Sequence, residues 1–101
     1  MILHLGANAS VQTEEITAVI DADSMEKSAE NRAFLAAAKE QGRYKPVNDQ
    51  VKTYVLVEKK GSQTLYGSPI SAITLLKRSQ RFLEDGTENY FKQNANAHTK
   101  A

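Results

Sequence analysis

The sequence contains no cysteine. This absence excludes disulfide frameworks, thiolate zinc sites, iron–sulfur clusters and cysteine nucleophiles. The apolar runs fall far short of the ~20 residues that a membrane-spanning helix needs. The first residues also lack the basic stretch and long apolar run of a secretory signal. We therefore expect a cytoplasmic protein with no membrane partner.

A chain of 101 residues with 41% hydrophobic and 25% charged residues has the composition of one small globular domain. A domain of this size buries only about two-thirds of the surface that its unfolded chain exposes. Burial between identical subunits would add to its stability. The size alone therefore favours homo-oligomerisation.

The net charge is only +1, but the charges are distributed unevenly along the chain. Residues 1–42 carry seven acidic and three basic side chains, whereas residues 43–82 carry two acidic and eight basic side chains. A basic segment of this kind suits an anionic partner, although lysines at hairpin turns also occur simply as solvated surface groups. The charge pattern alone leaves these two interpretations equal.

The first part of the chain predicts two strands followed by one helix. Residues 2–5 and 16–20 are short, apolar and rich in β-branched side chains, and the two segments can pair as a hairpin. An alanine-rich stretch then predicts a helix between Asp23, as its N-cap, and Gly42, just after its C-terminus. An alanine-lined helix face permits close packing against a sheet or a neighbouring helix.

Residues 52–58 predict a strand that is apolar on both faces, followed by a turn at 59–62 and a return strand at 63–67. A strand with two apolar faces belongs at the centre of a sheet or against a second subunit. The apolar side chains are Val55 and Val57 on one face, and Tyr54 and Leu56 on the other.

Ser68 and Pro69 predict the start of a second helix, because serine caps free N–H groups and proline fits the first helical position. We expect this helix to end near Leu83 or Glu84. One side of it is predicted to be an apolar stripe of Ile73, Leu76 and Leu83, joined by Ala72, Leu75 and Phe82. The opposite side combines hydroxyl and basic groups from Ser71, Thr74, Lys77, Arg78 and Arg81.

Together these elements predict an α+β domain at residues 1–84, with about four β-strands, one central helix and a C-terminal helix. Residues 85–101 are polar and predict a disordered tail.

Catalysis finds little support in the sequence. His4 and His98 lie in a predicted strand and in the predicted tail, and neither has the spacing of a metal-ligand motif. The carboxylate pairs at 14–15 and 21–23 look like strand ends and a helix cap rather than acid–base machinery. No phosphate-binding loop motif is complete. We predict no enzymatic activity, no cofactor and no small-molecule ligand.

The basic side of the second helix has the composition of a non-specific DNA contact. Lysine and arginine side chains reach backbone phosphates, and hydroxyl groups donate hydrogen bonds to them. The tyrosines do not cluster as they do in an RNA-recognition strand, which favours duplex contact over single-strand stacking. A solvated amphipathic helix has the same pattern, so the helix alone leaves the choice open.

Five segments of the chain carry a resemblance to a known family. They are Leu3-His4-Leu5-Gly6, Ile16 with Val19-Ile20-Asp21, Phe34-Leu35, residues 52–57, and, most specifically, Ser68-Pro69-Ile70-Ser71 followed by Thr74-Leu75 and Lys77-Arg78. Over roughly residues 1–80 the chain resembles the RemA/RemB-like extracellular matrix regulators, small bacterial proteins formerly classed as a domain of unknown function. It is closest to the RemB-like branch.

The resemblance implies a nucleoid-associated transcription regulator of biofilm matrix genes that binds DNA as a high-order homo-oligomeric ring. A ring repeats the same weak contact and so raises the overall affinity. In the activator branch, the loop before the central strand is arginine-rich and implicated in DNA contact. This chain has Asn48-Asp49-Gln50-Val51 there and keeps a basic group only at Lys52.

We therefore predict double-stranded DNA and further copies of the chain as partners. The predicted DNA-contacting residues are Lys52, Lys77, Arg78, Arg81, Arg43 and Lys45, with Lys59 and Lys60 as auxiliaries. The alternative is a structural or partner-binding homo-oligomer without a nucleic-acid role, in which the basic helix docks on the acidic first third of a neighbouring subunit. In either case Tyr54, Leu56 and the alanine face are the predicted subunit interface.

Overall fold

The computed structural model describes the backbone of residues 1–83 and the side chains of residues 1–79. In chain order its elements are β1 (Ile2–Gly6), β2 (Ala9–Gln12), a 3-10 turn (Thr13–Glu15), β3 (Ile16–Asp21), α1 (Ala22–Lys27), α2 (Ala29–Glu40), β4 (Tyr44–Pro46), β5 (Thr53–Lys59), β6 (Ser62–Ser68) and α3 (Ala72–Leu83). The predicted α+β class is confirmed, but residues 1–83 form six strands and three helices, more than the sequence predicts. Glu84 and the predicted tail at 85–101 lie outside the described residues.

The strands form two sheets. β1 and β2 make an antiparallel hairpin, and the other four strands are arranged in the order β3-β5-β6-β4. β5 pairs antiparallel with both β3 and β6, whereas β4 runs parallel to β6. The predicted central position of β5 is therefore confirmed. The predicted hairpin between residues 2–5 and 16–20 is wrong, because the short β2, with Val11 as its one large apolar residue, pairs with β1 instead.

The two apolar faces of β5 are both covered by the chain itself. Val55 and Val57 belong to a core shared with the β1–β2 hairpin and α3. Leu56 and Tyr54 belong to a second core, covered by α1 and α2. The prediction that Tyr54 and Leu56 form a subunit interface is therefore wrong, because α1 and α2 of the same chain cover them. The result is three layers, and no helix within residues 1–83 is both long and apolar enough to cross a membrane.

The single helix predicted after residue 23 is two helices. The Asp21 carboxylate, rather than that of Asp23, caps α1 by accepting a hydrogen bond from the Ser24 N–H at 2.7 Å. Ser28 has an extended backbone, and its hydroxyl caps α2 by accepting from the Asn31 N–H at 3.2 Å. A serine side chain competes with the helical backbone for hydrogen bonds, which explains why the helix restarts there.

The predicted C-terminus of α2 is confirmed. Gly42 has a φ of +73°, the left-handed conformation that glycine adopts at low cost. The Arg43 N–H donates to the Ala38 carbonyl at 2.8 Å, and the Gly42 N–H donates to the Lys39 carbonyl at 3.2 Å. These are the two hydrogen bonds of a Schellman motif, and they direct the chain into β4.

The predicted helix start at Ser68 is wrong. Ser68 is a buried residue at the end of β6, and α3 begins at Ala72. The Ser71 hydroxyl accepts a hydrogen bond from the Thr74 N–H at 3.2 Å, so Ser71 is the cap. Proline at position 69 cannot continue the hydrogen bonding of β6, which explains why the strand ends beside it.

Candidate nucleic-acid interface

The orientation of α3 decides which of its side chains reach solvent. The helix packs against β1 and β3, with Leu75 at 1% exposure and Ser79 at 3% exposure on the buried side. Lys77 and Arg78 are both exposed, as the sequence predicts, with Lys77 opposite the buried side and Arg78 on its flank. The predicted apolar stripe is wrong at Ile73, which is 67% exposed because it lies away from the buried positions 75 and 79 on the helix. We call Ile73, Thr74, Lys77 and Arg78 the outer face of α3.

The charges on this outer face are not neutralised by the described part of the chain. No described carboxylate lies within 4.0 Å of the charged group of Lys77 or Arg78. Among the described residues there is one ion pair, between the Met1 amino group and Glu14 at 2.9 Å. Arg81 belongs to α3, but its side chain lies outside the described residues. Two neighbouring cations are thus presented to solvent from one helix.

The hydroxyl groups near this face differ in availability. The Ser71 hydroxyl donates to Thr74 Oγ1 at 2.9 Å and accepts from the Thr74 N–H, so its hydrogen is already used within the helix cap. Donation from the Ser71 hydroxyl to a phosphate stays a prediction. The Thr74 hydroxyl accepts in that contact and keeps its own hydrogen for an external acceptor.

Arg43 and Lys45 form a second basic position, on the edge strand β4. The half-buried Arg43 guanidinium donates from Nε to Gln41 Oε1 at 2.8 Å and from Nη1 to Gln63 Oε1 at 3.2 Å. These amide oxygens hold the guanidinium without neutralising it. Lys45 is exposed. β4 and β3 lie at opposite edges of the sheet, about 14 Å apart at the usual strand spacing, and α3 packs near β3.

Lys52 lies just before β5, beside the start of α1. It lines an open cleft at the start of α1, together with Asp21, Asp23, Ser24 and Lys27. Its backbone joins three elements, because the Lys52 carbonyl accepts from the Ala22 N–H at 2.9 Å and its N–H donates to the Ser68 carbonyl at 2.8 Å. A phosphate at Lys52 would also approach two carboxylates, so this lysine has the least favourable surroundings of the predicted set.

Lys59 and Lys60 lie at the other end of β5, in the tight turn to β6. A strand of this length spans roughly 20 Å, so they cannot act at the same point as Lys52. Lys59 borders a groove of about 300 Å³ between β2 and the β5–β6 pair, which Glu15, Thr64 and Tyr66 also line. Sequence reasoning missed this groove, since it depends on how the hairpin docks against the sheet.

Two of the tyrosines lie closer together than the sequence predicts. Tyr44 and Tyr54 do lie together, with ring centroids 6.0 Å apart. They pack in the core beneath α2, however, and Lys39 Nζ lies 5.4 Å from the centroid of the Tyr44 ring. Burial, and secondarily the neighbouring Tyr54, raises the pKa of Tyr44 above its ordinary value. These rings are core residues rather than an open stacking platform.

The other chemistry-bearing residues are not gathered into a site in the described part of the chain. His4 is exposed on β1, and His98 lies outside the described residues. Within the described residues no group of three or more metal-ligating side chains comes together. The predicted DNA contacts that the structure describes therefore lie on the outer face of α3, on the β4 edge, at Lys52 before β5 and at the β5–β6 turn.

No known protein-family profile matches the chain, and no curated protein matches it.

Proposed function

We propose that the chain binds duplex DNA through the phosphate backbone and acts as a homo-oligomeric transcription regulator. The observation that carries the proposal is the pair of neighbouring exposed cations, Lys77 and Arg78, on the outer face of α3. The helix holds both side chains on a surface that the core does not use, with the Thr74 hydroxyl beside them. Arginine, lysine and hydroxyl groups are the side chains that most often contact DNA phosphates.

Two or three cations per subunit give only weak, salt-sensitive binding. Repetition of the same face in an oligomer raises the overall affinity without new contacts. This is the physical reason to join DNA binding and self-association in one proposal. The ring-shaped assembly and the regulation of biofilm matrix genes are added to it by the resemblance to the RemA/RemB-like regulators. The cytoplasmic location predicted from the sequence stays part of the proposal.

The test is a fluorescence anisotropy titration of a labelled duplex at several salt concentrations. The double variant Lys77→Gln/Arg78→Gln should bind more weakly and lose about 1.8 from the log–log salt slope per bound subunit, because two phosphate contacts disappear. The matched control, Lys27→Gln/Lys39→Gln, removes the same charge from exposed lysines of α1 and α2. Equal losses in the two variants would show a general charge effect and overturn the assignment to α3.

The alternative function, a structural or partner-binding oligomer, predicts a different result for Arg78→Glu. Asp23, Glu26 and Glu30 are exposed on α1 and α2, and in this alternative they receive a neighbour's basic helix. If that contact holds the oligomer together, Arg78→Glu lowers the assembled mass measured by light scattering. If α3 contacts DNA, the same variant keeps its mass and loses DNA binding.

A further inference from the structure

The two outer strands of the four-stranded sheet differ in how their free edges are protected. β4 has only three residues, and these include Lys45 and Pro46. Short length, lysine and proline are the usual features that prevent an edge strand from pairing with another chain. β3 has six residues, and its residues 16–20 carry neither charge nor proline. Among the described residues, no strand pairs with the outer side of β3.

The hydrogen-bond pattern identifies the free backbone groups of β3. The Ala22 N–H donates to the Lys52 carbonyl, and hydrogen-bonded pairs alternate along an antiparallel ladder. Ile20 is therefore hydrogen bonded with its cross-strand neighbour Tyr54, whereas Val19 directs its N–H and C=O away from β5. A bulge at Thr17 interrupts the ladder. The regular free edge thus runs from Ala18 to Asp21, and within it Val19 presents both backbone groups outward.

We propose that this edge pairs with β3 of a second copy of the chain, antiparallel about a twofold axis at Val19. Each Val19 N–H then donates to the Val19 carbonyl of the other copy, and the two four-stranded sheets join into one of eight strands. Ala18 lies opposite the second copy's Ile20, and Thr17 lies opposite the second copy's Asp21. Within β3 no like charges face each other in this register, so the strand is complementary to itself.

The partial burial of the β3 side chains also favours pairing with a second copy of β3. Ala18, Val19 and Ile20 are each only half-buried in the single chain, although all three are apolar. A second β3 covers them with the same apolar side chains, and a small domain gains from such added burial. Every copy of the chain also carries this strand, so the binding partner is always present at the concentration of the chain.

This inference rests on the self-association part of the proposed function and is independent of DNA binding. A twofold contact joins two copies and then closes, whereas a ring requires a different, head-to-tail contact. Failure of β3 pairing can therefore be distinguished from failure of DNA binding. Loss of β3 pairing halves the assembled mass but leaves the outer face of α3 intact.

The test uses Thr17, whose side chain is exposed and whose replacement leaves the core unchanged. Thr17→Asp places a carboxylate opposite Asp21 twice per dimer, whereas Thr17→Lys places an ammonium group there. Sedimentation velocity of the full chain over a range of concentrations should show dimers or even multiples for the parent and for Thr17→Lys. The dissociation constant of Thr17→Asp should be about tenfold higher than that of Thr17→Lys, and the difference should shrink at high salt.

Val19→Pro tests the backbone contact directly, because it removes an N–H that the chain does not use internally. The folded variant, verified by circular dichroism, should sediment as a monomer. A parent chain that is monomeric at every concentration would overturn the proposal. Equal association of the two Thr17 variants, or a folded Val19→Pro that still dimerises, would overturn it as well.

Discussion

The buried hydroxyl of Ser68 donates a hydrogen bond to the carbonyl oxygen of Leu5 at 2.6 Å, joining β6 to the β1–β2 hairpin. The register of β1 against β2 shifts between His4 and Gly6, so Leu5 is the extra residue of a bulge. The same hydroxyl accepts from the Ile70 N–H at 3.1 Å. One side chain thus fixes the docking of the hairpin and the turn that leads to α3.

Ser68→Ala should lower the free energy of unfolding by about 1–3 kcal/mol, because it leaves a buried carbonyl oxygen and an N–H without this partner. Urea denaturation measures this loss. Ser62→Ala, at the exposed start of the same strand, is the matched control and should change stability by less than about 0.5 kcal/mol. Equal effects of the two substitutions would show that the Ser68–Leu5 contact contributes nothing.

This contact also shows why part of the fold could not be predicted from the sequence. A serine before a proline has the same local appearance at the end of a strand and at the start of a helix. The choice is made by Leu5, which lies 63 residues away in the chain. The three residues of β4 are likewise too few to show a periodicity, and they become a strand only by pairing with β6.

The elements that were predicted correctly have strong local signals. β5 has apolar residues on both faces at positions 54–57, and this pattern predicted either a central position or contact with a second subunit, of which the structure shows the first. The exposed basic residues of α3 followed from helical spacing. The acidic surroundings of Lys52 did not, because they depend on packing of α1 beside β5, about 30 residues later in the chain.

Gly67→Ala should destabilise the fold by about 1–3 kcal/mol through overpacking. A Cβ atom at this position would overlap the Tyr44 hydroxyl and lie 3.0 Å from Val51 Cγ2. Tyr44→Phe removes the obstructing oxygen, so the double variant should recover part of the loss. A double-mutant cycle by urea denaturation measures this coupling. Purely additive effects would show that Tyr44 is not the obstacle.

Tyr44 should also give stability a dependence on alkaline pH. Burial, and then the neighbouring Tyr54, raises the pKa of Tyr44 in the folded chain. As the pH rises, the unfolded chain therefore loses this proton first, near pH 10. The stability is full below about pH 10 and falls as the pH rises through the higher folded pKa. Urea midpoints between about pH 8 and 11 should fall less steeply for Tyr44→Phe than for the parent. Identical profiles would contradict this assignment.

The surroundings of Lys77 and Lys52 predict that the two lysines contribute unequally to DNA binding. Lys77 has no described carboxylate near its ammonium group, whereas Lys52 shares a cleft with Asp21 and Asp23. Lys77→Gln should reduce the salt slope by about 0.9 per bound subunit, because one phosphate contact is lost. Lys52→Gln should leave the slope unchanged, since the two carboxylates repel a phosphate that approaches it.

Asp23→Asn tests the cause of this difference, because Asp23 is exposed and does not cap α1. Removal of its charge should strengthen DNA binding. In the Asp23→Asn background, Lys52→Gln should then weaken binding, although it has no effect in the parent chain. Anisotropy titrations of the two single variants and the double variant give the coupling. If Lys52→Gln in the parent chain costs as much affinity as Lys77→Gln, the DNA must pass over the cleft at the start of α1, and the outer face of α3 is then not the principal contact.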